Sequence, residues 1–187
     1  ATLETLEIMK ERYGSNFCKK STELKYHEKL IIEEVEIFLA PAGHVLGSAQ
    51  VVMNFANQLI TVSGDYKRQD DPTCAAFEPI KSDIFITEAT FALPVFKHPN
   101  ANTQINLLIK SIQNFPERCH VIGVYSLGKA QRLIKMLRNN GWHNTIYLHG
   151  SLVKICNLYE KFGIDLGDLE PATIQDKPEK PHDFYLS

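Results

Sequence analysis

The chain has 187 residues, 44% of them hydrophobic and 22% charged, with a net charge of −2 at neutral pH. A chain of this length buries a sizeable core without staples. Its charge balance excludes a uniformly basic nucleic-acid binder, so any polyanion contact must come from a local patch.

Residues 2–13 predict a helix: Leu3, Leu6 and Met9 recur at helical spacing, and Gly14 is a C′ stop. Residues 29–39, KLIIEEVEIFL, alternate and carry β-branched side chains, which predicts one strand with Glu33, Val35, Ile37 and Leu39 on one face. A loop then holds His44 between Gly43 and Gly47. Residues 49–62 read as a hairpin turning at ANQ, and SGDYKRQDDPT reads as a polar loop. Residues 83–87, DIFIT, read as a short buried strand running into Glu88.

After ALPVFKHPN the pattern changes. Helices are expected at 102–114, 128–139 and 151–162, and strands at 119–125 and 145–148. That alternation requires a parallel sheet with crossover helices. A domain change is placed near residue 92. Residues 173–187, rich in proline and charge, are expected to be a tail or loop. The fold class is α/β (α+β).

Four cysteines, Cys18, Cys74, Cys119 and Cys156, are dispersed and form no CxxC pair. This argues against a zinc ribbon and for a reduced, cytoplasmic protein. The charged amphipathic start carries no signal-peptide pattern, and no run is apolar enough to span a bilayer. A first residue other than methionine is expected of a fragment or a processed chain.

His44 and Asp65 each stand at a strand end beside glycine, where the backbone can turn sharply and leave the side chain accessible. Imidazole and carboxylate are the usual ligand pair for zinc or manganese, although a catalytic zinc takes at least three protein ligands. The plainer alternative has His44 capping its loop and Asp65 making an Asx-turn. Glu88, at the end of an apolar strand, lines a cleft or is a solvated loop residue. Lys67, Arg68, Lys97 and His98 would rim such a cleft and suit a polyanion.

GVYSLGKA, residues 123–130, satisfies the G-x-x-x-x-G-K spacing between a strand and a helix, but Ala130 stands where Ser or Thr would ligate magnesium. Lys129 and Arg132 begin the helix, where phosphate is attracted. Lys135 and Arg138 continue the basic face or are simply solvated. His120 reads as a satisfied core or edge histidine. His143 and His149 lie near strand ends, and the single tryptophan, Trp142, marks no stacking platform.

In order, AGHVLGSAQV, VSGDYK, DIFITEATFALPVFKHP and YSLGKAQRL resemble the β-CASP branch of the metallo-β-lactamase fold, a group of nucleases. Within it the chain is most similar to the bacterial DNA-ligase-associated exonucleases (mRNA 3′-end processing factor-like). The resemblance covers residues 1–172. It implies part of an αββα sandwich over 1–91, followed by part of a β-CASP parallel α/β domain over 92–172.

It also implies roles. His44 matches a metal-binding histidine, Asp65 an aspartate bridging two metals, and Glu88 an acidic residue supporting the metal-binding histidines. The implied cofactors are two Zn2+ (or Mn2+) ions, the implied reaction is phosphodiester hydrolysis, and DNA is the favoured substrate. An ATP-dependent DNA ligase and a helicase are the implied partners, in DNA repair.

The family's H-x-H-x-D-H motif is not in this sequence. The chain is therefore expected to be a central fragment, inactive alone. Two other readings stay open: a non-catalytic scaffold or binding protein with a degenerate metal site, and a nucleotide-binding domain using residues 123–130.

Overall fold

The computed structural model describes residues 1–172 and 184–187. They divide into two compact units, Ala1–Pro94 and Val95–Ser187.

The first unit opens with α1 (Leu3–Tyr13), which begins where Thr2 can cap it. The Thr2 hydroxyl accepts the Thr5 N–H at 3.2 Å. Glu4 sits in the first turn and Lys10 and Arg12 in the last, which suits the helix dipole. Gly14 ends the helix at φ 83° with its N–H on the Lys10 carbonyl. The buried side centres on Ile8, whereas Leu3 of the expected stripe is exposed.

Five strands follow: β1 (Leu30–Ile32), β2 (Val35–Pro41), β3 (Ala49–Phe55), β4 (Gln58–Val62) and β5 (Ile84–Ile86). They lie in that order in one sheet, the first four antiparallel and β5 parallel to β4. The single strand expected over 29–39 is two strands. Ile32 faces Val35 across a turn at Glu33 and Glu34, with Glu33 at φ 55°. No glycine or proline announces that turn; two adjacent glutamates, poor in β-propensity, are the only trace. The 49–62 hairpin forms as expected, turning at Ala56 and Asn57, both in the left-handed region that a two-residue hairpin loop requires.

β5 corrects a second expectation. Ile84, Phe85 and Ile86 are exposed rather than buried, because the strand is short and ends the sheet. The core of this unit is instead Leu39, Ala40 and Val52 of β2 and β3, with Ile8, Leu24, Ala42 and Leu46.

The second unit contains α2 (Ala101–Asn114), β6 (His120–Ile122), α3 (Lys129–Asn139), β7 (Ile146–Leu148), α4 (Gly150–Lys161), β8 (Leu169–Pro171) and β9 (Phe184–Leu186). The α/β alternation read from the sequence is present, and every strand pair is parallel. The order is β6–β9–β7–β8. β9 lies within the stretch expected to be tail or loop. It is a central strand, with Phe184 and Leu186 fully buried. Its F-Y-L run is too short to outweigh the proline-rich residues before it. The rest of that stretch, 173–183, lies outside the described residues. Ile146, Leu148, Phe184 and Leu186 share the core with Ile134, Leu137, Leu152, Cys156 and Tyr159 of α3 and α4.

Arg138 departs from the solvated basic face expected of α3. It is buried, and its guanidinium donates to four main-chain carbonyls: Leu166 at 2.8 Å, Trp142 at 3.0 Å, Asn144 at 2.6 Å and Asp168 at 2.6 Å. It thereby ties α3 to the loops before β7 and β8. Burial pushes its pKa down, and Asp168 and Asp165 pull it back up. Gly167 makes room for it: a Cβ there would lie 2.6 Å from Arg138 Nε. Among the described residues no helix is long and apolar enough to cross a membrane.

Candidate functional site

The loop between β2 and β3, residues 42–48, carries His44, and its shape is set by Ser48. The Ser48 hydroxyl accepts the N–H groups of both His44 (3.0 Å) and Val45 (3.1 Å). Its main chain closes the loop through Ala42 N–H to Ser48 carbonyl (3.0 Å) and Ser48 N–H to Val45 carbonyl (2.9 Å). The two glycines are places of close approach. A Cβ on Gly43 (φ 69°) would lie 2.5 Å from the Lys67 carbonyl oxygen, and one on Gly47 (φ 73°) would lie 2.6 Å from Glu4 Cβ. The first turn of α1 grips the loop: Thr2 and Thr5 hydroxyls donate to the Gly47 carbonyl at 2.7 and 2.9 Å. Tyr26 donates to the Ser48 carbonyl, and burial pushes its pKa up to about 12, so it remains a neutral donor.

Asp65 lies on the loop after β4. The Lys67 N–H bonds the Ala42 carbonyl at 3.0 Å, which holds this loop against the histidine loop. His44 Nε2 and Asp65 Oδ2 stand 3.9 Å apart, with side chains 43% and 70% exposed. That is too long for a direct hydrogen bond, and a few tenths of an ångström longer than the separation of about 3.3–3.6 Å that two ligands of one tetrahedral zinc would have. Glu88 follows β5, anchored by its N–H to the Ser63 hydroxyl at 3.4 Å. The Thr90 hydroxyl and N–H hold its carboxyl below the usual carboxylate value against a small desolvation penalty. The Tyr66 N–H and nearby His44 pull the same way. His44 and Asp65 thus face each other at one end of the first sheet, and Glu88 lies near enough to feel the His44 charge.

A pH effect follows. A depressed carboxylate pKa contributes order to the 88–90 turn above the ordinary glutamate value of 4.5, and that contribution is lost as pH falls through the folded value. Thr90→Val is expected to raise the Glu88 midpoint toward its ordinary value, read by carbon NMR of the carboxyl. An unmoved midpoint would contradict the assigned cause.

The donor chemistry of His44 and Asp65 fits a zinc or manganese ion, but their number does not complete a site. Among the described residues no three His, Cys, Asp or Glu side chains gather where they could hold a metal ion. The other candidates are placed separately. Lys67 is ion-paired with buried Asp71, which also accepts from the Thr73 N–H and hydroxyl, so its ammonium belongs to the loop's own scaffold. Arg68 and Lys97 are exposed, each within its own unit. His120 has Arg118 carbonyl and Ser111 hydroxyl against its two nitrogens, the satisfied edge histidine expected. His149 caps α4 through Ser151.

The turn at residues 123–130 is not a phosphate cradle. Gly128 N–H donates to Gln131 Oε1 at 2.8 Å, Lys129 N–H to the Leu127 carbonyl, and Ala130 N–H to the Tyr125 carbonyl. Three of the amides that such a loop would turn to a phosphate are thus engaged internally. Gln131, in reach of both the Ser126 carbonyl and Cys156, and Ser48 in the first unit are the residues that sequence reading missed. Their signals were present: a Gln three residues after an N-cap, and a hydroxyl four residues after His44 within a tight loop.

No protein-family model matches the chain. It is 33% identical over 147 residues to cleavage and polyadenylation specificity factor 73 of Drosophila melanogaster, covering 74% of this chain and 21% of that protein. It is 33% identical over 138 residues to endoribonuclease YSH1 of Gibberella zeae, covering 71% and 16%. An uncharacterized protein in the lig 3′ region of Acidianus ambivalens is 28% identical over 144 residues, covering 75% of this chain and 99% of its own. Among solved structures, a protein of unknown function from Enterococcus faecalis V583 shares the fold, with a TM-score of 0.57 at 13% identity, covering 92% of this chain and 46% of its own. The chain belongs to the β-CASP family, and its α/β architecture is that of the metallo-β-lactamase/β-CASP fold. It spans about a fifth of the length of the first curated relatives it matches.

Proposed function

We propose that these residues are part of a metal-dependent nuclease in which His44 and Asp65 face the metal ions and Glu88 orders the neighbouring turn. The observation that carries this reading is the approach of His44 and Asp65 to 3.9 Å, from two loops tied together through the Lys67 N–H and the Ala42 carbonyl. In this reading residues 1–91 are the metallo-β-lactamase-like part and 92–172 the β-CASP-like part. The remaining ligands come from the rest of the parent protein, so the chain alone is inactive. Bound there, two Zn2+ or Mn2+ ions supply Lewis-acid polarisation of a phosphodiester and a lowered water pKa. This chain's own contribution is to hold an imidazole nitrogen and a carboxylate in fixed positions, through Ser48 and the turn of α1.

DNA is the substrate we propose, in exonucleolytic repair beside a DNA ligase and a helicase; the relative in the lig 3′ region supports the ligase association alone. RNA cleavage is the second reading, favoured by the endoribonuclease to which the chain is similar. The scaffold reading has the incomplete donor set in its favour. The test is cleavage of end-labelled DNA and RNA, single- and double-stranded, by the parent protein with Zn2+ or Mn2+. Wild-type cleavage that chelator abolishes, with His44→Ala and Asp65→Asn each reducing it by a factor of about a thousand, is the expected result. Absence of cleavage on every substrate would favour the scaffold.

A further inference from the structure

We propose that Tyr125 and Lys129 form a stacking subsite for single-stranded nucleic acid, the phenol ring taking a base and the ammonium the adjoining phosphate. The proposal rests on the nucleic-acid reading above and names the strand form that the second unit takes up.

Tyr125 leaves the carboxyl end of β6, the end of a parallel sheet where ligands bind. Its backbone is fixed on both sides. Val124 N–H donates to the Ser187 carbonyl at 2.9 Å, and the Tyr125 carbonyl accepts Ala130 N–H at 3.2 Å. Gln131 locks the remainder of the turn through Gly128 N–H and the Ser126 carbonyl. On this rigid support the Tyr125 side chain is 72% exposed. A large ring so placed contributes little to the core, and its burial awaits a ligand.

Lys129 Nζ lies 4.5 Å from the ring centroid, an exposed cation–π contact that is weak enough to give way to a phosphate. Gly123, Val124, Tyr125 and Lys129 line a pocket of about 340 Å³. A Cβ on Gly123 would meet nothing within 4 Å, so the pocket is open beside the ring. Because the Gly128, Lys129 and Ala130 amides are engaged internally, the site lacks the full cradle a nucleoside triphosphate needs. What it offers is one π-face and one positive charge, the combination that holds unpaired bases in a sequence-tolerant way. A duplex, whose base faces are already stacked, cannot use it.

The experiment measures binding of a fluorescein-labelled oligothymidylate to the 187-residue chain by anisotropy, without metal, with a duplex of the same length as comparison. Tyr125→Ala is expected to weaken binding about tenfold and Tyr125→Phe to restore it. Lys129→Gln is expected to lower the slope of log K against log salt by about one. Far-UV circular dichroism confirms that each variant is folded. Binding by the wild type that Tyr125→Ala leaves unchanged overturns the subsite and leaves the nuclease reading standing. Equal affinity for duplex, or no binding by the wild type, also overturns it, and the cleavage assay then decides the nuclease reading separately.

Discussion

Arg138→Met is expected to lower the stability of the second unit by about 3–5 kcal/mol, seen as a large drop in its melting temperature. The guanidinium donates to four main-chain carbonyls, of Trp142, Asn144, Leu166 and Asp168, that come from two loops. The Asp168 carbonyl also accepts the Ile146 N–H at 3.1 Å, so the loss falls mainly on the other three. Methionine fills similar volume and supplies none of those bonds. It leaves acceptors in a place that water reaches poorly, and an unmet buried acceptor costs more than a formed bond contributes. Arg138→Lys should fall between, since a single ammonium cannot reach all four carbonyls in the planar fork that Arg presents. Thermal unfolding followed by circular dichroism checks this. Equal melting of wild type and Arg138→Met would show that the loops do not depend on this residue.

Gly47→Ala is expected to cost about 2–4 kcal/mol in the first unit. The residue sits at φ 73°, where any Cβ is strained, and that Cβ would meet Glu4 Cβ at 2.6 Å, Thr2 Oγ1 at 2.7 Å and Thr5 N at 2.9 Å. All three belong to the N-cap and first turn of α1, which clamp the histidine loop, and Thr5 N is main chain, which cannot swing aside. The loop and α1 must separate, so His44 should lose its fixed position along with the stability. Denaturant unfolding and the His44 ring resonances report the two effects. A variant with wild-type stability and unshifted resonances would remove α1 from the account of how His44 is held.

Much of this was legible in the sequence because periodicity carries it. The helix of residues 2–13 with its Gly14 stop, the 49–62 hairpin and the β–α alternation of the second unit all come from patterns longer than one turn of structure. The turn at Glu33–Glu34 was hidden, since alternation runs through it and two glutamates are a faint mark beside the glycine or asparagine that usually signals a left-handed residue. β9 was hidden because three residues are too few to show a period, and its partners are distant in sequence. The exposure of β5 depends on its being the last strand of the sheet, a tertiary fact that an apolar triplet cannot report.

At the site, residue type and glycine framing marked His44 and Asp65, whereas their neighbours' roles needed coordinates. Lys67 and Arg138 read as surface charge in a linear pattern. The partners that draw them inward are Asp71, four residues on in the same loop, for Lys67, and a ring of carbonyls that carries no sequence signature for Arg138.

The most direct test of the central claim is a Zn2+ titration of the 187-residue chain followed by NMR of its histidine rings and carboxylates. The account predicts that the His44 and Asp65 signals move together, at weak affinity, and that Asp65→Asn weakens the His44 response further. Two ions bound tightly per chain would contradict the partial ligand set. Metal binding that shifts other histidines and leaves His44 unmoved would contradict the site itself.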